Sequence, residues 1–199
     1  MIALHAVLLG ALVALSLPGS AAGTGPAPAA PPAPTPAPTR APAPASAKQL
    51  LEEARTTASA SGRGVLVGFH ASWCGYCRKL EGLLAQPPAK EILDRRFVVT
   101  WLTVLEKPGK EGLENPGGRA LYEEWSGNEG GLPFLATLDS SGRLTATSLR
   151  PGRDGVPRNI GLPVRPPEVA HFVAMLRSAS PALTDAEAVA LTDAFTKAK

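Results

Sequence analysis

The sequence predicts a mixed α/β domain: a central mixed sheet with helices on both faces, and an extra helix at its C-terminal end. Three observations lead there. Short apolar runs rich in β-forming residues alternate with segments whose apolar residues recur at helical spacing. Stretches containing glycine or proline punctuate them. Both patterns begin only after residue 46, because what precedes has a composition that cannot bury a core.

Residues 1–22 read as a signal peptide: positions 2–17 are almost wholly apolar, and Ser20 and Ala22 fit the small-x-small rule for signal peptidase. With no Lys or Arg before the apolar run, an uncleaved N-terminal anchor is the alternative, although the run is short for a span of about 20 residues. Residues 23–46 are mostly proline and alanine and read as a disordered linker, either a tether that gives reach or a leader of no consequence. Residues 47–199 then form one domain. The net charge of the whole chain is only +3, and its basic residues are scattered, so no nucleic-acid footprint is visible.

Within the domain, Leu50, Leu51, Ala54 and Ala58 predict a helix over 47–60, with Ser46 available as its N-cap. The apolar run 65–69 predicts a buried strand, and the cysteines follow at the strand-to-helix turn. Leu80, Leu83 and Leu84 predict a helix over 77–85, which Pro87 and Pro88 break before a second one over 89–96. Residues 97–105 predict another buried strand, 108–118 a loop, and 119–125 a short helix with Leu121, Tyr122 and Trp125 inward. Residues 133–138 and 143–148 flank the turn sequence Asp139-Ser140-Ser141-Gly142 and predict a hairpin. Residues 151–163 read as irregular, and 166–178 as a helix with Val169, Phe172, Val173 and Leu176 on one face. Thr184 and Glu187 form a capping-box pattern that opens a last helix running to about Lys197.

The chemistry concentrates in "SWCGYCRKLE", which holds both cysteines of the chain. If Cys74 sits at the first turn of a helix, Cys74 and Cys77 lie on one side of it and can form a tight reversible bridge. Backbone N–H groups and the helix dipole there favour a thiolate on Cys74, the nucleophile, and leave Cys77 to resolve the mixed disulfide. A structural staple closing so short a loop would stabilise the fold only modestly. Zinc would need ligands from His70 and His171, far apart in sequence, because there is no second CxxC; no metal and no cofactor are expected.

The stretch "FHASWCGYCRKLE" after a buried strand, with "GGLPFLATLDSSGRL" downstream, resembles the thioredoxin superfamily, most of all its exported bacterial members. The resemblance implies that Trp73, Cys74 and Cys77 are the active-site tryptophan, attacking cysteine and resolving cysteine, and that Pro133 is a cis-proline whose neighbour Leu132 pairs with an extended substrate segment. Gly75 and Tyr76, inside the motif, join Leu132 as expected substrate contacts. The resemblance also places Glu81 as an acidic residue near the cysteines, able to tune a thiol or relay a proton, against the plainer reading of an exposed helical glutamate. His70 could tune the thiolate or simply pack. Two departures stand out: Gly68 occupies the position of the buried aspartate of cytosolic thioredoxins, and Leu132 replaces the threonine before the proline.

The expected activity is reduction of disulfides in exported proteins, fed by an unidentified thiol donor, from a monomer that is periplasmic or secreted and tethered to the membrane if the anchor is retained. A disulfide isomerase or oxidant, and a non-catalytic client-binding module, are the alternatives.

Overall fold

The computed structural model describes residues 43–127, 129–152 and 154–198. The signal peptide and all but the last four residues of the linker lie outside them.

Helix α1 (Ala47–Ser61) starts where expected, the Ser46 hydroxyl accepting the Gln49 N–H at 3.2 Å. It ends at Gly62 in the left-handed conformation, which glycine adopts without steric cost. Strand β1 (Gly64–His70) leads into the motif and α2 (Gly75–Leu84), followed by α3 (Ala89–Arg96), β2 (Phe97–Thr103), α4 (Gly118–Ser126), β3 (Phe134–Leu138) and β4 (Leu144–Thr147). Helices α5 (Pro166–Ala179) and α6 (Asp185–Lys197) complete the domain. The capping box opening α6 is present, with the Thr184 hydroxyl accepting from Glu187 N and the Glu187 carboxylate accepting from Thr184 N.

The central sheet is mixed, in the order β2-β1-β3-β4, with β1 parallel to β2 and antiparallel to β3. Alternation along β1 serves two cores, as a strand covered on both faces requires. Val65, Val67 and Phe69 pack towards α1 and α4, while Leu66 packs among α2, α3, α5 and α6. The expected fold class is therefore found.

Two expectations need correction. Residues 151–163 are not wholly irregular: β5 (Leu149–Pro151) and β6 (Pro157–Asn159) form a second, two-stranded antiparallel sheet. Its exposed arginines and prolines carry no apolar alternation, so the strand pattern was absent from the sequence. The loop after β2 also contains a short 3-10 turn, Glu111–Leu113.

Candidate active site

The C-terminal ends of the parallel strands β1 and β2 meet at one edge of the sheet, and the motif turn begins there. Cys74 is the N-cap of α2, and its sulfur accepts the Cys77 N–H at 3.1 Å. The two cysteines are joined as a disulfide, with their Cα atoms 5.3 Å apart. Both cysteines are buried, Cys77 fully and Cys74 with 3% of its surface exposed, so Cys74 is the less enclosed of the two. Leu132 packs against this pair and Ala71.

The other expected residues surround the pair. Trp73 is 45% exposed and donates its indole N–H to the Leu105 carbonyl at 2.8 Å. Tyr76 is 63% exposed, one position into α2 beyond Gly75, where an added Cβ would meet little. The Leu132–Pro133 peptide is cis, and Pro133 is buried. A cleft of about 290 Å³ opens here, lined by Tyr76, Leu132, Pro133, Ile160, Leu162 and Val164 among others, and a second of about 440 Å³ shares Tyr76, Leu162 and Val164. A separate cleft between the α2–α3 turn and α6 contains none of the motif residues.

Glu81 is not paired with its helical neighbours Arg78 and Lys79. Its Oε1 lies 2.6 Å from Nδ1 of His70, whose Nε2 is 3.1 Å from the Thr103 hydroxyl. His70 is thus held between β2 and α2, its ring tilted against that of Trp101 with centroids 5.2 Å apart. Glu81 follows Cys77 by one helical turn and projects on the same side of α2. Gly68 is explained by Trp101, since a Cβ there would lie 2.3 Å from two carbons of the indole. A carboxylate at position 68 has no room, and the carboxylate that β1 and α2 bring together with a histidine is Glu81, paired with His70.

Several residues that hold the site escaped sequence reasoning. The Tyr122 hydroxyl accepts the Gly131 N–H at 2.7 Å, and Tyr122 comes so close to Gly130 that a Cβ there would clash. The Asn159 side-chain amide donates to the carbonyls of Gly131 and Pro133 at 2.8 and 2.9 Å, and its oxygen accepts from the Ser148 hydroxyl. That hydroxyl in turn accepts Leu135 N–H at 2.9 Å. Side chains therefore secure the backbone on either side of Leu132, whose own amide and carbonyl have no backbone partner among the described residues. Glu106 is the other: its carboxylate accepts both the N–H and the hydroxyl of Ser72. Burial pushes the Glu106 carboxyl up, but those two hydrogen bonds, with the charges of Lys110 and His70, hold it below the ordinary value. None of these contacts had a local signal in the sequence.

Residues 46–140 match a protein family described as thioredoxin-like. Among solved structures, the chain is similar to a disulphide isomerase from Xylella fastidiosa Temecula1 at 17% identity, covering 77% of this chain and 91% of that one with a TM-score of 0.44. A thioredoxin from Thermus thermophilus is 25% identical, with 63% and 80% covered and a TM-score of 0.40. A DsbH oxidoreductase is 18% identical, with 74% and 93% covered and a TM-score of 0.40.

Proposed function

With residues 46–140 thioredoxin-like and the fold that of the thioredoxin superfamily, we propose that the domain is a thiol-disulfide oxidoreductase that reduces disulfides of exported proteins. The observation that carries this reading is the cysteine pair itself: two adjacent sulfurs, the less enclosed one at a helix N-cap and the other fully buried, beside the Leu132–Pro133 loop.

In the reduced state the Cys74 thiolate attacks one sulfur of a client disulfide. A mixed disulfide forms, the client S–S bond breaks, and the released client thiolate takes a proton from water. Cys77 then loses its proton and attacks the Cys74 sulfur, which frees the second client thiol and leaves Cys74–Cys77 oxidised. Glu81, held by His70, is the group that takes the Cys77 proton. Two electrons have passed to the client, and an external thiol donor returns them. The client enters as an extended segment that pairs with the Leu132 backbone and lays apolar side chains against Trp73, Tyr76 and Leu162.

Residues 1–22 support export, with the domain acting as a monomer in the periplasm or outside the cell, tethered through residues 23–46 if the anchor is retained. Among the described residues, no helix is long and apolar enough to cross a membrane.

The test is the pair of cysteine variants. Cys77→Ala is expected to accumulate mixed disulfides through Cys74, visible on non-reducing gels from an oxidising compartment, and Cys74→Ser to lose all turnover. A Cys74→Ser chain that still performs its task on a client would point instead to a binding module. Direction is read from the potential of the couple: about −270 mV fits a reductant, and about −180 to −120 mV an isomerase or oxidant.

A further inference from the structure

Glu106 follows the C-terminal end of β2 and is only 6% exposed. A buried carboxylate is costly unless hydrogen bonds compensate for lost water. Its side-chain hydrogen bonds come from one residue of the motif turn: the Ser72 N–H at 2.5 Å and the Ser72 hydroxyl at 2.7 Å. Its own N–H donates to Glu114, which also pairs with Arg119, both at 2.8 Å. The preceding residue, Leu105, has φ 55°, and among the described residues no other non-glycine residue has a positive φ. That left-handed conformation is disfavoured for a residue with a Cβ such as leucine. The Leu105 carbonyl accepts the Trp73 indole N–H. A strained residue and a buried carboxylate therefore grip two consecutive residues, Ser72 and Trp73, immediately before Cys74. From the other side, Arg78 donates to the Ser72 carbonyl at 2.8 Å.

We propose that Glu106 is the positioning residue of the motif turn, and that its fixed negative charge biases the Cys74–Cys77 couple towards the disulfide, making the dithiol a stronger reductant. The proposal rests on Cys74 being the attacking thiolate. Ser72 and Cys74 are two residues apart, so their Cα atoms lie within about 7 Å. A charge held there with little solvent contact is screened less than an exposed one. Reduction adds two electrons and one proton to the disulfide and yields a Cys74 thiolate and a Cys77 thiol. Two glutathione molecules supply the electrons and leave as glutathione disulfide, with their second proton released to water. A fixed carboxylate beside the thiolate disfavours that product. The other charges near the turn are Arg78, Lys107, Lys110 and His70, opposed by Glu81, with Glu114 and Arg119 paired to each other beyond the Glu106 N–H. Lys107 and Lys110 are exposed and solvent-screened, Arg78 is tied to the Ser72 carbonyl, and Glu81 and His70 face each other.

The full chain and its E106Q variant are equilibrated with defined glutathione mixtures at pH 7, and the Cys74 thiolate is followed by its ultraviolet absorbance against pH. E106Q is expected to show an equilibrium constant for reduction about three- to tenfold larger, which is about 15–30 mV more oxidising, with the thiolate forming at lower pH. E106D keeps the charge and stays close to the parent. A merely structural role would lower stability and leave the E106Q constant equal to the parent, which overturns the proposal. Should E106Q fail to fold, E106D and E106N, both one methylene shorter, make the same comparison: a larger constant for E106N than for E106D supports the proposal, and equal constants overturn it. A parent disulfide that exchanges nothing with glutathione sinks the oxidoreductase reading and this proposal together. A parent that exchanges, with E106Q matching it, sinks the Glu106 bias alone.

Discussion

A methyl group at Gly68 would have to displace the Trp101 ring, which is itself tilted against His70. Overpacking of this kind costs about 1–3 kcal/mol. Gly68→Ala is therefore expected to lower the unfolding free energy by that much, read as a lower denaturant midpoint with an unchanged slope; a neutral substitution would mean that the indole moves freely. The sequence alone revealed that Gly68 lacks a carboxylate, but not that Trp101 fills the space, because β2 pairing sets that contact. The same limit applies to Glu106. The cysteines declared themselves by local spacing, and a helix N-cap needs only neighbours. Glu106 meets Ser72 across 34 positions, and nothing in its surroundings separates it from the other glutamates of a charged loop.

At the scale of elements, the small β5–β6 hairpin delivers Asn159 to the loop that carries Leu132 and Pro133. Asn159→Ala removes the donor to two carbonyls and is expected to cost about 1–3 kcal/mol. Steady-state reduction of a disulfide-bonded model protein should show KM rising severalfold with kcat within about twofold, since in the proposed function the loop holds the client while the sulfurs react. A fall in kcat with KM unchanged would refute that division. The long elements were legible: α1, β1, α2, α5 and α6 each carry a strong period or a cap, and the structure places them within a few residues of expectation. The hairpin was not, because three-residue strands have no period to read and only pairing defines them.

For the whole molecule, acid should act first through carboxylates that the fold holds ionised. Burial raises the Glu187 carboxyl, but the Thr184 N–H and Arg96 outweigh it and bring it from 4.5 to about 2. The Ser141 hydroxyl leads the groups that lower Asp139, against burial, from 3.8 to about 2, with Arg143 adding to it. A depressed folded value gives stability that is complete above the unfolded value and is lost as pH falls through the folded one. Unfolding free energy is expected to be level above about pH 5 and to decline by a few kcal/mol towards pH 2, and Glu187→Gln to flatten much of that slope. Because Glu187 joins α6 to Arg95 and Arg96 of α3, circular dichroism should register the loss as loosening of the C-terminal helix. The burial of Cys77 matters in a different setting, that of chemical damage. Cys74 is the less buried of the pair, and a sulfenic acid formed on it in the reduced state would condense with the adjacent Cys77 thiol, expelling water and restoring the disulfide before further oxygen could be added. Cys77 would thus shield Cys74 from irreversible oxidation, and an oxidative burst would leave the pair as a disulfide that an added thiol can reverse.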